Sequence, residues 1–198
     1  DWDEVVENSD SPPVHNFNFM ENQGPKHAPP RDAKPIDYFN LFFTTALITL
    51  MVNETNRYAQ QYIQSHQDES AQARARSWTN TTVKEMKGFL AVIFNMNIIR
   101  RPTLEWYWST KHSQKIPWFS LMFSRNRFQL LLRFFHLADN TNIAHPGHPN
   151  YEPCARMKPV IDHANTLFRH HYVPHQQLSI DKVSLAQSPH PTPTVPPQ

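Results

Sequence analysis

The sequence predicts a mainly α-helical fold that is followed by one short β-strand. Glycine occurs three times in 198 residues, which is too few for the tight turns of hairpin-rich all-β proteins. Apolar residues recur instead at helical spacing in several segments in the middle of the chain, as amphipathic helices require. The strand candidate is Leu178-Ser179-Ile180-Asp181, in which apolar and polar residues alternate.

Both ends of the chain are predicted to be disordered. Residues 1–35 form an acidic, proline-containing leader with few large apolar side chains, so burial cannot offset the loss of chain entropy. Residues 185–198 form a proline-rich tail that cannot build a helix or a central strand. We therefore expect a helical region over residues 36–176, followed by a strand over residues 177–184.

Two helices are predicted in the first part of the helical region. Residues 36–52 are apolar on most sides, which predicts a largely buried helix with Asp37 as its N-cap. Residues 54–67 are polar and compatible with a helix. Residues 68–77 are charged and are predicted to form a loop.

The clearest helical pattern covers residues 82–97. Thr82 and Glu85 form a capping box, in which two side chains bond free amides of the first turn. Residues spaced three and four apart then form a stripe on one face, namely Met86, Leu90, Ile93 and Asn97, widened by Phe89 and Phe94.

Three shorter helices are predicted after it. Residues 104–109 form an aromatic helix, Ser124 caps the next helix, and Pro159 fits the first turn of the last one. We expect the aromatic side chains of this region to be core rather than platforms for base stacking, namely Trp78, Trp106, Tyr107, Trp108, Trp118 and Phe119.

Positive charge is concentrated in the middle of the chain. Residues 57–133 hold twelve Lys and Arg against four Asp and Glu, whereas residues 1–37 are acidic. This asymmetry favours a polyanion partner; the alternative is a solvated surface of uneven charge, with Arg57 or Arg127 in structural ion pairs. The candidates for salt-sensitive contacts with DNA phosphates are Arg57, Arg74, Arg76, Lys84, Lys87, Arg100, Arg101, Arg125, Arg127 and Arg133.

Several other site types find no support in the sequence. A single cysteine, Cys154, excludes an intrachain disulfide. His145 and His148 precede it, but their spacing matches no standard zinc site and a fourth ligand is missing. No membrane contact is expected, because the longest apolar-rich stretch, residues 38–52, is too short to span a bilayer.

A series of short motifs resembles the piggyBac-type transposases and their domesticated relatives. The resemblance runs from about residue 36 to residue 181, and it rests on the order and spacing of motifs that are each weak alone. The motifs are Tyr38-Phe39-Asn40-Leu41-Phe42-Phe43, Glu54-Thr55-Asn56-Arg57-Tyr58-Ala59, Trp78 ahead of Thr82-x-x-Glu85-Met86-Lys87-Gly88-Phe89, Tyr107-Trp108, Ser124-Arg125-Asn126-Arg127-Phe128, Arg133-Phe134-Phe135-His136-Leu137-Ala138-Asp139-Asn140, Lys158-Pro159-Val160 and Leu178-Ser179-Ile180-Asp181.

The resemblance implies a family of nuclear proteins that cut and paste DNA. Its members use an RNase H-like domain in which three aspartates bind two Mg²⁺ ions, and a helical region before it supports dimerisation and DNA binding. By motif match, Asp181 is similar to the first catalytic aspartate and would bind Mg²⁺ in a complete enzyme. Lys182 departs from the family pattern, and no Asp or Glu follows Asp181 in this chain.

We therefore expect a catalytically inactive module that binds DNA weakly and dimerises with itself or a related transposase. A lone carboxylate binds Mg²⁺ poorly, and two-metal chemistry needs several acids, so no cofactor is expected for this chain. The alternative is the N-terminal part of an active transposase whose downstream catalytic region is missing from this chain. A third possibility is that the unpaired strand leaves the product without a stable fold.

Overall fold

The computed structural model describes residues 20–66 and 75–175, and these residues are mainly helical. The predicted strand at 177–184 with Asp181, the tail at 185–198, Arg74 and most of the predicted leader lie outside the described residues. The α-helices are α1 (Pro35–Phe42), α2 (Thr45–Ser65), α3 (Val83–Ile98), α4 (Pro117–Met122), α5 (Arg125–Phe134) and α6 (Lys158–His171). Short 3₁₀ turns cover Ala75–Ser77, Leu104–Trp108 and Asn140–Asn142.

The chain divides into two units. One comprises Asp1–Lys26 together with Tyr172–Gln198, and the other comprises His27–His171. In the described part of the first unit, strand β1 (Gly24–Pro25) pairs antiparallel with strand β2 (Tyr172–Val173). Gly24 takes a φ of 110° there, a backbone conformation that glycine adopts without steric cost.

The second unit begins with two helices where the sequence predicted one over residues 36–52. Helix α1 ends at Phe42. The hydroxyl of Thr44 then caps α2 by accepting a hydrogen bond from the Leu47 amide at 3.3 Å. Helix α2 then continues to Ser65, so the two helices predicted over residues 36–52 and 54–67 are not separated near residue 53. The predicted N-cap, Asp37, lies inside the first turn of α1, where its carboxylate accepts the Lys34 amide at 2.8 Å. Pro35 starts α1, because its fixed φ suits a first helical position.

The predicted starts of α3 and α5 are confirmed. The Thr82 hydroxyl accepts the Glu85 amide at 3.2 Å, and the Ser124 hydroxyl accepts the Arg127 amide at 3.3 Å. Helix α4 was missed by the periodicity argument, because six residues are too few to show a helical repeat.

The core of the second unit lies between α2, α3 and α5. These helices bury apolar side chains against one another, chiefly Leu47, Ile48, Met51, Val52, Met86, Phe89, Leu90, Val92, Phe128 and Leu131. The predicted core role holds for Tyr107 and Phe119, which are buried, whereas Trp106 is 38% exposed. Tyr107 also anchors the segment after α3, because its hydroxyl donates to the Met96 carbonyl at 3.2 Å and accepts the Arg101 amide at 3.1 Å.

Among the described residues, no single helix is long and apolar enough to cross a bilayer. Helices α1 and α2 satisfy length and composition only when taken together across a bend of 61°.

Replacing Phe89 by alanine tests the position of the core. The Phe89 ring is fully buried, whereas Phe94, on the same helix, is 42% exposed. We expect Phe89→Ala to lower the free energy of unfolding by about 3–5 kcal/mol because it leaves a cavity. Phe94→Ala is the matched control and should cost clearly less, since water already reaches the ring. Urea titrations followed by circular dichroism measure both, and equal losses would contradict this description of the core.

Candidate nucleic-acid interface

One ion pair joins the first turns of helices α3 and α5. Arg127 donates from Nε to Oε1 of Glu85 at 2.7 Å and from Nη2 to Oε2 at 2.6 Å. Each partner is the third residue of its helix, three positions after the capping hydroxyl. The local capping patterns of two separate segments therefore place the two charges in reach of each other.

The pair is shielded from water by an aromatic ring. The guanidinium carbon of Arg127 lies 4.5 Å from the centroid of the Trp78 ring, a favourable cation–π distance. The side chains of Arg127 and Glu85 are 18% and 24% exposed. Partial burial alone would raise the pKa of Glu85. The hydrogen bond from Arg127, the Thr81 side chain and the charge of Arg127 together outweigh this effect, so the pKa lies below its usual value.

An asparagine from α2 holds the segment that leads into α3. The Asn56 side chain donates to the Thr81 carbonyl at 3.0 Å and accepts the Thr81 amide at 2.8 Å. Because Thr81 directly precedes the N-cap Thr82, these two bonds set where α3 begins relative to α2. The amide side chain satisfies both backbone groups of one residue, as a neighbouring strand would.

A second arginine of the predicted set is also engaged within the protein. Arg57 lies 2.9 Å from Glu54 and 3.4 Å from Asp139, both measured from Nη1 to a carboxylate oxygen. The pKa of Asp139 is lowered chiefly by the backbone amide of Thr141, with the Arg57 charge as a smaller cause. The structure thus places Arg57 and Arg127 in ion pairs, which is the alternative that the sequence left open for them.

The other predicted cations lie in different environments. Arg133 stacks on Tyr62 at 4.7 Å and donates to its hydroxyl at 2.5 Å. Arg101 is half-buried next to the Tyr107 anchor, and Arg76 is exposed and belongs to the Ala75–Ser77 turn. The remaining four predicted cations are exposed, namely Lys84, Lys87, Arg100 and Arg125.

Three of the exposed cations lie in the first two turns of α3 and α5. Lys84 and Lys87 are three residues apart on α3, so they lie on one side of that helix. Arg125 opens α5, two residues before the partner of Glu85. We call Lys84, Lys87 and Arg125 the α3–α5 basic surface. Arg100 lies beyond the opposite end of α3, about 24 Å away by helical rise.

One carboxylate lies near this surface. The pKa of Glu105 is lowered chiefly by its own backbone amide and the Thr103 side chain, with a smaller effect of the Arg125 charge. The Arg125 charge therefore has a small effect on Glu105. The ion pairs found among the described residues do not include Glu105.

The histidines and the cysteine of the loop after α5 do not assemble a metal site. Within residues 20–66 and 75–175, the imidazole, thiol and carboxylate groups that cluster closely enough for a metal ion are those of His27, His170 and His171. His145, His148 and Cys154 are not among them.

The chain matches a protein-family model over most of its length. The model is described as Transposase IS4, and it covers residues 34–194. The chain belongs to the piggyBac-type transposase family. The resemblance drawn from the short motifs is thereby confirmed.

Two human relatives show the same relationship. PiggyBac transposable element-derived protein 5 is 24% identical over 180 residues, which cover 91% of this chain. PiggyBac transposable element-derived protein 2 is 26% identical over 141 residues, or 71% of this chain. The matches span 32% and 21% of the length of these two relatives. No solved structure shows a significant match to this transposase-family chain.

The motifs that carry the family resemblance meet one another in space. The Thr55 hydroxyl accepts the His136 amide at 3.3 Å, and the Tyr58 ring stacks on the His136 imidazole at 3.5 Å between centroids. Asn56 reaches Thr81, and Glu85 reaches Arg127 across 42 residues. Sequence reasoning missed the first three of these contacts, and their membership of family motifs was the available signal.

Removing the charge of Glu85 tests the joint between α3 and α5. We expect Glu85→Gln to lower the free energy of unfolding at pH 7 by about 1–3 kcal/mol, because Arg127 keeps its charge and loses its partner. A carboxylate whose pKa is lowered by folding stabilises the protein above its unfolded pKa. The difference between wild type and variant should therefore shrink as the pH falls below about 4.5.

The matched control is Glu152→Gln, which breaks the exposed pair of Glu152 with Lys158. Exposed pairs contribute little, so this variant should unfold almost like the wild type. Denaturant titrations at pH 7 and pH 4 compare the three proteins. A difference for Glu85→Gln that stays constant with pH would contradict the proposed role of its charge.

Proposed function

We propose that this chain is a DNA-binding module of the piggyBac-type family, and that the α3–α5 basic surface contacts the phosphate backbone. The observation that carries the proposal is the exposure of Lys84, Lys87 and Arg125 in the first two turns of α3 and α5, whose starts are linked by the Glu85–Arg127 ion pair. Helix N-termini bring unpaired amides and a positive dipole end, which add to the attraction for phosphate.

The charge balance of the surrounding segment supports this proposal. Residues 75–137 hold ten Lys and Arg against two Glu. One of these acids, Glu85, forms an ion pair with Arg127, and the other is Glu105. A phosphate chain approaching the start of α3 and α5 therefore meets few competing carboxylates in this segment, and its attraction to the cations is largely retained.

The expected binding is sequence-independent. Lysine and arginine side chains on an exposed helix surface contact phosphates and fix orientation, whereas base edges are read by elements inserted into a groove. The sequence has no helix-turn-helix or zinc-finger spacing that would assign base-specific contacts. Affinity should therefore be weak and should fall steeply with salt, since it comes from the release of counterions.

The proposal is one of binding rather than catalysis. Among the described residues near this surface, Glu85 is paired with Arg127, and Glu105 interacts with its own backbone amide and the Thr103 side chain. The names of the human relatives, which call them transposable element-derived, favour a nuclear protein that meets DNA. The RNase H-like strand, Mg²⁺ binding at Asp181 and association with a second copy stay predictions.

Salt-dependent DNA binding tests the proposal. Fluorescence anisotropy with a labelled duplex measures the affinity of the full chain between about 50 and 200 mM salt. The slope of log K against log salt is negative, and each lost phosphate contact reduces its magnitude by about 0.9. The variant Lys84→Gln/Lys87→Gln/Arg125→Gln should therefore lose up to about 2.7 in slope and bind more weakly at low salt.

A second triple variant controls for net charge. Arg31, Arg156 and Arg169 are exposed and lie outside residues 75–137, so their replacement by glutamine removes the same charge elsewhere. We expect this control to keep most of the slope. Equal losses in both triple variants, or an affinity of the wild type that does not change with salt, would overturn the proposal.

A further inference from the structure

Three histidines converge at the end of α6. His170 and His171 are the last two residues of that helix, and His27 is brought beside them from 143 residues earlier in the chain. One possible ligand atom from each lies within 4.8 Å of the other two. The rings of His27 and His170 are stacked, with centroids 4.3 Å apart and an angle of 10° between their planes. No spacing rule links these residues, so the sequence alone did not suggest the cluster.

The hydrogen bond of His27 fixes which of its nitrogens can bind a metal. Nδ1 of His27 lies 3.2 Å from the backbone carbonyl oxygen of His170. A carbonyl oxygen only accepts, so Nδ1 must carry the proton, and the lone pair resides on Nε2. Metal-binding histidines commonly have this arrangement, because the bond from the second nitrogen orients the ring.

His171 supplies an independent observation. Its Nδ1 is buried and has no hydrogen-bond partner, and one side of the ring faces Phe42, with centroids 6.0 Å apart. A buried nitrogen without a partner is unfavourable. A metal ion bound to that lone pair would satisfy it.

The backbone of His27 is a third observation. Its φ of 52° lies in the left-handed region, which is uncommon for residues other than glycine. Such a conformation is unfavourable and persists where the surroundings determine it strongly. Here it brings the His27 ring against His170.

A simpler explanation covers only part of the cluster. Histidine in the last turn of a helix interacts favourably with the negative end of the dipole, and this accounts for His170 and His171 at the end of α6. It does not account for the left-handed His27 or for the unpartnered nitrogen of His171.

We propose that His27, His170 and His171 form a binding site for a transition-metal ion, Zn²⁺ in the first place. Imidazole nitrogens suit zinc, copper and nickel, whereas calcium and magnesium prefer oxygen ligands. Three histidines leave a fourth position of a tetrahedral zinc ion for water or another ligand. Nitrogens about 2.0–2.1 Å from zinc lie about 3.4 Å apart. The ligand atoms must therefore move closer than their present 4.8 Å limit, and His27 and His170 must tilt out of their stacked arrangement so that their in-plane lone pairs converge on the ion.

The site would connect the start of the second unit to its end. His27 is the first residue of that unit and His171 is its last. Because the metal binds the folded chain, zinc should stabilise it against unfolding in proportion to the logarithm of zinc concentration over Kd. This effect requires no DNA, so the metal proposal stands or falls separately from the proposed function.

Isothermal titration of the full chain with ZnCl₂ at pH 7.5 tests the proposal, together with thermal unfolding at increasing zinc concentration. We expect one ion per chain and a higher Tm with zinc, but no change with MgCl₂. His27→Asn removes one ligand and keeps a residue type that tolerates the left-handed backbone. It should weaken zinc binding by about 10-fold or more and abolish the shift in Tm.

A matched variant tests the other histidine-rich region. His145→Gln/His148→Gln/Cys154→Ser removes the exposed ligand types of the loop and should leave zinc binding unchanged. His170→Gln provides a second test of the cluster if His27→Asn proves less folded by circular dichroism. Cu²⁺ electron paramagnetic resonance should show nitrogen ligands that decrease in number in either cluster variant. The proposal is overturned if the wild type binds no zinc, or if binding survives both cluster variants and disappears in the loop variant.

Discussion

The ion pair between Glu85 and Arg127 fixes the start of α3 relative to the start of α5. The first turns of two helices meet at this pair, and each helix start adds a partial positive charge. An arginine between them would be repelled without an adjacent carboxylate, and the bidentate contact at 2.6 and 2.7 Å supplies it. Trp78 then covers the guanidinium, which reduces the exposure of the pair and strengthens its electrostatic interaction. The position of the α3–α5 basic surface follows from this one joint.

The motifs that identify the family describe the architecture of the unit more than a chemical site. Asn56 sets the entry to α3, Thr55 and Tyr58 hold His136, and Arg57 is held by Glu54 and Asp139. Each side chain replaces contacts with water by specific partners within the protein, so the cost of its burial is offset. Lys84, Lys87 and Arg125 belong to the same segments but stay exposed, and these cations carry the proposed function.

The basic surface and the histidine cluster are separate features of the same unit. The first concerns exposed charges at the starts of α3 and α5, where attraction to an anion is long-range and screened by salt. The second concerns lone pairs at the end of α6, where coordination is short-range and needs particular atoms. Their opposite positions relative to helix dipoles fit their ligands, because helix starts attract anions and helix ends attract cations.

The amino-acid sequence determined the helical class, the starts of α3 and α5, the uneven charge and the family. These properties depend on neighbours along the chain, such as Thr82 with Glu85, or on composition and the order of motifs. The tertiary structure decided the break between α1 and α2 at Thr44, the partners of Arg57 and Arg127, and the meeting of His27 with His170 and His171. The Glu85–Arg127 and His27–His170 contacts join residues 42 and 143 positions apart, and no periodicity along the chain records which distant side chains packing will bring together.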